Sequence, residues 1–153
     1  MENFVWCRSC SRTVSIEHAI AELPCPSCGG SDYFVVTGSA EQDALLSLSE
    51  RMQRVGRWEV AEKAIRRCAE RGYISAADCA LSIHNLAWRR ECVCSARSMI
   101  DDSPVALTVA ELRSSLLRDY DNFVVDWLLQ DYAGLRLVPF GDTYVVEVVE
   151  DAP

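Results

Sequence analysis

The chain has 153 residues, half of them apolar and a quarter charged, which excludes a disordered polymer and fits one ordinary domain or two small ones. No run approaches the ~18 apolar residues of a membrane span. The opening MENFVWCRSC has neither the basic start nor the apolar stretch of an export signal, so a cytoplasmic protein without membrane contact is expected. The net charge of −8 is unevenly placed: residues 1–38 carry 2 basic and 4 acidic groups, residues 39–100 carry 10 and 8, and residues 101–153 carry 3 and 11. The acidic character therefore belongs to the last third, and it bears on partners rather than on fold.

Residues 1–38 read as short strands around two turns. Phe4-Val5-Trp6 and Tyr33-Phe34-Val35-Val36-Thr37 are aromatic and β-branched, as strands prefer, and Gly38 closes the segment. Between them lie Cys7 and Cys10, then Cys25 and Cys28, two Cys-x-x-Cys units separated by 14 residues. Each such turn presents two sulfurs to one side of an ion, and two turns complete a tetrahedral cage. Gly29-Gly30 supplies the permissive backbone that a tight turn after Cys28 needs, whereas no glycine follows Cys10. With no export signal, metal is favoured over disulfides, and zinc over iron. Four thiolates leave no open coordination position, so one structural Zn2+ is expected on Cys7, Cys10, Cys25 and Cys28. Pro24-Cys25-Pro26-Ser27-Cys28-Gly29 resembles the second knuckle of a zinc ribbon, a resemblance that covers about a quarter of the chain.

Residues 39–100 read as helical. Ser39-Ala40-Glu41-Gln42 has capping-box form; Leu45, Leu48, Met52 and Val55 follow at helical spacing, and Gly56 is a stop. Ala61, Ala64, Ile65 and Cys68 mark the inward face of a second helix ending near Gly72. Leu45, Ser49, Met52, Gly56, Trp58, Ala61, Ile65 and Cys68 fall at the small and bulky positions of a tetratricopeptide repeat. That resemblance spans about 34 residues and implies an antiparallel helical hairpin. Ser75 caps a third helix, expected from Ala76 to about Arg90, with Ala77, Ala80, Leu81, His84 and Trp88 on one apolar face and Cys79, Ile83 and Leu86 on another. Such a helix would be central and buried. Cys68 and Cys79 then pack as small hydrophobes, His84 lies beside Trp88, and Cys92 and Cys94 follow the helix.

Residues 101–153 are expected to pack with 39–100 as one domain. Thr108-Val109-Ala110-Glu111 is a capping box for a helix burying Val109, Leu112 and Leu116. Asp121 caps the next, with Phe123, Val124, Trp127 and Leu128 inward and Gly134 at its end. Leu135–Val138 and Tyr144–Val149 flank a Gly141-Asp142 turn and read as a hairpin. The overall expectation is α+β: a small β zinc ribbon, a mainly helical body and a C-terminal hairpin. Helix, helix, hairpin is also the order of a winged-helix domain.

No catalytic constellation is present in the pattern. Only His18 and His84 exist, there is no phosphate-cradling glycine loop, and no His-Glu-x-x-His. Arg51, Arg54, Arg57, Lys63, Arg66, Arg67 and Arg71 form a candidate nucleic-acid surface, interleaved with Glu50, Glu59, Glu62 and Glu70 that can pair with them. Against this, the second C-terminal helix carries Asp121, Asp126 and Asp131 with no Lys or Arg, which a duplex backbone repels. The expected function is a non-enzymatic zinc-binding adaptor or regulator with a protein partner and no small-molecule substrate. The alternatives are a nucleic-acid-binding regulator and a thiol-based redox sensor.

Overall fold

The computed structural model describes residues 4–15, 18–19, 23–34 and 39–149, so the expected strand residues Val35, Val36 and Thr37, and Gly38, lie outside the described residues. The arrangement is α+β, with small antiparallel strands at the N-terminus, helices in the middle and a hairpin at the C-terminus. The chain divides into two compact units, Met1–Met52 with Arg57–Ile83, and Gln53–Gly56 with His84–Pro153.

The first unit opens with strands β1 (Phe4–Cys7), β2 (Thr13–Ser15) and β3 (Tyr33–Phe34), antiparallel in the order β2-β1-β3. Val5 pairs with Val14, Trp6 with Thr13, and Cys7 with Tyr33. Strand β2 was not anticipated from sequence, although its β-branched Thr13-Val14 is the ordinary signal for a strand.

Helices α1 (Ser39–Arg54) and α2 (Trp58–Glu70) follow. Leu45, Leu48 and Met52 of α1, and Ala61, Ala64, Ile65 and Cys68 of α2, are buried as their spacing requires. Ser49 Oγ donates to the Ala61 carbonyl at 3.1 Å, while Arg67 and Arg71 lie 3.8 and 3.2 Å from Glu41. The late residues of one helix thus meet the early residues of the other, which is the antiparallel hairpin implied by the repeat resemblance. Glu41 is fully buried, so the two guanidiniums supply the countercharge that its carboxylate loses with its water. The first helix closes when Gly56 N–H reaches the Gln53 carbonyl and Arg57 N–H the Met52 carbonyl, at 3.1 and 2.8 Å. Val55 therefore falls in the turn and is exposed, not in the inward row where its spacing put it.

Helix α3 runs from Ala76 to Asp102, well beyond the expected end at Arg90. Ser75 Oγ accepts from Asp78 N–H at 3.0 Å, the expected cap, but nothing stops the helix until Ser103-Pro104, because no Gly or Pro intervenes. Cys92 and Cys94 are thus helical residues, one buried and one exposed. The expected burial of its first turns also needs correction. Ala77, Ala80, Leu81 and His84 are exposed, Trp88 is half-buried, and the buried side chains are Leu86, Cys92, Val93 and Ala96. Periodicity marks an apolar face, but only neighbouring elements decide whether it is covered.

In the second unit, α4 (Val109–Leu116) starts at Thr108, whose Oγ1 accepts from Glu111 N–H, and α5 (Asn122–Gln130) at Asp121, whose Oδ1 accepts from Val124 N–H at 2.9 Å. Leu112 and Leu116, with Val124, Val125, Trp127 and Leu128, form the core beneath them. Phe123 was expected inside and is 89% exposed: residues 124, 125, 127 and 128 define the buried arc, and Phe123 stands off its edge in the first turn. Strands β4 (Leu135–Phe140) and β5 (Thr143–Val148) form the hairpin, tightened to the two-residue Gly141-Asp142 turn with Gly141 at φ 61°. Val146 N–H bonds the Leu107 carbonyl at 2.9 Å and Thr108 bridges Val145, so the segment before α4 adds to the hairpin edge. Helix, helix, hairpin is thus the order of residues 109–148, as the sequence predicts.

Gly134 does not end α5, which stops at Gln130. It lies instead under the Tyr132 ring, where a Cβ would meet the ring atoms at 2.4–2.5 Å, and that ring is buried against Trp127 at 5.9 Å. Gly134→Ala is expected to lower stability by about 1–3 kcal/mol through this overlap, measured by chemical denaturation of the second unit's tryptophan signal. An unchanged midpoint would show that the ring relocates freely.

Candidate metal centre

The two Cys-x-x-Cys turns are built alike. Cys7 N–H bonds the Arg12 carbonyl at 3.0 Å and Ser11 N–H the Cys7 carbonyl at 2.9 Å; in the second turn Cys25 N–H bonds the Gly30 carbonyl at 2.7 Å and Gly29 N–H the Cys25 carbonyl at 2.8 Å. The residue after each pair takes a left-handed conformation, Gly29 at φ 74° and Ser11 at φ 60°. Glycine accepts this freely, whereas for serine it costs roughly 1–2 kcal/mol. The first turn thus reaches the knuckle geometry without the glycine that marks the second. Gly30 has a different reason: a Cβ there would lie 2.9 Å from Ser9 Oγ and 3.3 Å from Cys28 Sγ.

All four sulfurs lie within 4.8 Å of one another, with Cys7 and Cys28 at 3.4 Å and Cys10 and Cys25 at 3.8 Å. A tetrahedron with metal–sulfur bonds of 2.3 Å has edges of about 3.8 Å, so the spacing suits a single ion, zinc included. Cys7 and Cys25 are buried, Cys10 is half-buried and Cys28 is exposed. Backbone amides are aimed at the sulfurs. The N–H groups of Cys10 and then Ser9 hold the Cys7 thiol down to about 6, and those of Ser27 and Cys28 lower that of Cys25. The Gly30 N–H favours the Cys28 thiolate too, at 3.4 Å, but the neighbouring sulfurs, Cys7 first, together with burial push that thiol up to about 12. Four negative sulfurs so close repel one another, and a divalent cation at their centre relieves this.

The remaining cysteines behave differently. Burial, with Glu41 nearby, raises Cys68 to about 11, and burial, with Asp121, raises Cys92 to about 12, so both remain thiols. Among the described residues no other group of three or more Cys, His, Asp or Glu gathers for a metal, so Cys68, Cys79, His84, Cys92 and Cys94 supply no second cluster of that kind. His18 is not in the cluster either. Its Nε2–H donates to the Pro24 carbonyl at 2.6 Å, and Tyr33 Oη donates to the Leu23 carbonyl at 2.6 Å, so both brace the irregular segment leading into the second turn. Those braces were not read from the sequence; an isolated His between two cysteine pairs was their only signal.

Family models, curated proteins and solved structures yield no match to this chain. The geometry of the centre therefore stands on its own residues.

The candidate basic residues are placed as follows. Arg51, Arg54, Arg57 and Lys63 are exposed, Arg66 pairs with Glu62 at 3.5 Å, and Arg67 and Arg71 turn toward Glu41.

Among the side chains before α1 whose burial is described, Val5 and Val14 are the buried ones other than cysteine. Cys25→Ser is therefore expected to lose bound metal and unfold residues 1–34 while the helices persist, read by elemental analysis and hydrogen exchange. Retained stoichiometry would remove the metal assignment. Ser11→Gly relieves the left-handed strain and should stabilise the metal-loaded segment by about 0.5–1 kcal/mol after the entropic cost of glycine, measured by its resistance to denaturant.

Proposed function

We propose that this chain is a non-enzymatic adaptor whose N-terminal segment is held by one structural zinc ion and whose second unit binds a protein partner. Zinc is supported by a donor set of four thiolates with near-tetrahedral spacing and no position left for a substrate. The observation that carries the partner reading is the surface of the second unit. Phe123 of α5 is 89% exposed, and Phe140 and Tyr144 at the hairpin tip are 67% and 51% exposed. Helix and wing are the elements by which a winged-helix unit would grip a duplex, and here they present aromatic rings. Cations are few on these two elements: α5 carries no Lys or Arg, and the hairpin carries only Arg136, which pairs with Glu147 at 2.6 Å. Exposed apolar groups on an acidic surface suit a protein far better than a phosphate backbone.

Purification of tagged full-length protein from its native source, with and without nuclease, tests this reading. A protein partner that persists after nuclease treatment is expected, together with about one zinc per chain by elemental analysis. A solitary chain at native concentration, or a complex that dissolves with nuclease, would overturn the adaptor reading. Iron in place of zinc would overturn the metal identity and leave the adaptor reading standing.

A further inference from the structure

The four sulfurs of the metal centre are not equally accessible. Cys7 and Cys25 are buried and Cys10 is half-buried, whereas Cys28 is exposed. The chain around each explains the difference. Cys7 ends β1, where it pairs with Tyr33 of β3 and its N–H reaches the Arg12 carbonyl at 3.0 Å. Cys28 lies in the second turn and is followed by Gly29 and Gly30. At Gly30 even a Cβ would come within 3.3 Å of the Cys28 sulfur, so glycine there leaves it without the cover that any other residue would supply.

The sulfur that faces Cys28 belongs to the other turn. Cys7 Sγ lies 3.4 Å away, and Cys10 and Cys25 face one another in the same crossed manner at 3.8 Å. With a metal bound, all four thiols are deprotonated, so access rather than charge separates them. A thiolate that an electrophile can reach is the one oxidised first, and a neighbouring thiolate then closes a disulfide on it. Of the other cysteines, Cys68 and Cys92 are buried, and Cys94 on α3 is exposed but stands outside the four-sulfur group.

We propose that Cys28 is an oxidative modification site, through which a hydroperoxide opens the metal centre by way of a Cys7–Cys28 disulfide. Cys28 Sγ attacks one peroxide oxygen; the O–O bond breaks, hydroxide leaves and the sulfur becomes a sulfenic acid. Cys7 Sγ then attacks the Cys28 sulfur; the S–S bond forms, the S–O bond breaks and a second hydroxide leaves. Two thiolates have together lost two electrons, and the peroxide has taken them up as its oxygens become hydroxide. Cys10 and Cys25 alone do not complete a tetrahedral site, so affinity for the ion falls and the segment it holds loses its order. An added thiol reverses the change by exchange with the disulfide. This rests on the zinc reading and goes beyond it, because the centre becomes a reversible device as well as a scaffold.

The test treats full-length, zinc-loaded protein with hydrogen peroxide while a chromophoric chelator reports released zinc. Disulfides are mapped by mass spectrometry after alkylation at early times. Release of about one zinc per chain is expected, with Cys7–Cys28 as the first disulfide. Exchange protection should be lost before α1 and kept in the helices, and dithiothreitol with added zinc should restore it. Cys28→His keeps a zinc ligand at the exposed position and should slow release at least about tenfold. Cys94→Ser should release zinc at the wild-type rate. Zinc that stays bound while Cys94 is oxidised overturns the proposal. So does a first disulfide within one turn or involving Cys94, or a Cys28→His chain that releases zinc as fast as wild type. If Cys28→His holds no zinc, the wild-type disulfide map decides. The two readings fail separately: a chain that never holds a metal removes the centre itself, whereas one that keeps its zinc through peroxide treatment loses only the modification site.

Discussion

Four sulfurs brought within 4.8 Å of one another are a constraint that the N-terminal segment cannot satisfy by packing. Its described strands are two to four residues long, and among the side chains whose burial is described Val5 and Val14 are the buried ones besides cysteine. So small a core does not offset the conformational entropy of ordering the loops. A metal bound by all four would change the balance: the thiolate charges that oppose folding in the empty cage would become the ligands that drive it. The strained Ser11 shows how strong that demand is, since a residue disfavoured at φ 60° is held there so that Cys7 and Cys10 face the centre together. Everything the segment presents to the outside follows from this cage.

The helical parts are held differently. Each helix start described in detail has a side chain to satisfy its free amides, Ser75, Thr108 or Asp121, except α2, whose preceding Arg57 makes no such bond. There the charge on α2 works in the opposite sense, because Arg67 and Arg71 near its end meet the buried Glu41. A buried carboxylate with two cations adds little net stability, but it penalises any register of the hairpin that leaves Glu41 alone. The repeat-like spacing of small and large residues and this ion cluster therefore specify the same antiparallel pairing.

Much of this was legible in the sequence wherever a residue's role is local. Paired Cys-x-x-Cys turns, the caps at Ser75, Thr108 and Asp121, and the stops at Gly56 and Gly72 act within a few residues of themselves, so spacing alone finds them. Features that depend on a distant neighbour were not legible. Helix α3 shows the limit twice: its length follows from the lack of a breaker up to Ser103-Pro104, and its outward apolar row around Leu81 follows from what does not cover it. Gly134 was read as a helix end, while its purpose is to make room for the Tyr132 ring. Phe123 fits an inward pattern by type and spacing, yet stands in solvent because the core beneath α5 is already filled by Val124, Val125, Trp127 and Leu128. The cavity beside it, between α3 and the start of α5, could not be read at all, since its two walls are about 30 residues apart in the chain.

Charge decides how the winged-helix order is to be understood. A helix docking on a duplex comes within a few ångströms of phosphates that repeat every 1.7 Å along the axis, and salt screens such contacts only over roughly 8–10 Å. Carboxylates of the second unit at that distance would be opposed by many phosphates at once. The same carboxylates meeting lysines or arginines release no condensed counterions, but they steer the encounter and exclude acidic competitors, leaving the affinity to desolvated aromatic rings. An exposed phenylalanine adds nothing to electrostatic contact with a phosphate, whereas it is a natural anchor in a protein interface. Exposed aromatic rings on α5 and the hairpin, with carboxylates rather than cations on α5, therefore weigh against a duplex and in favour of the protein partner proposed above.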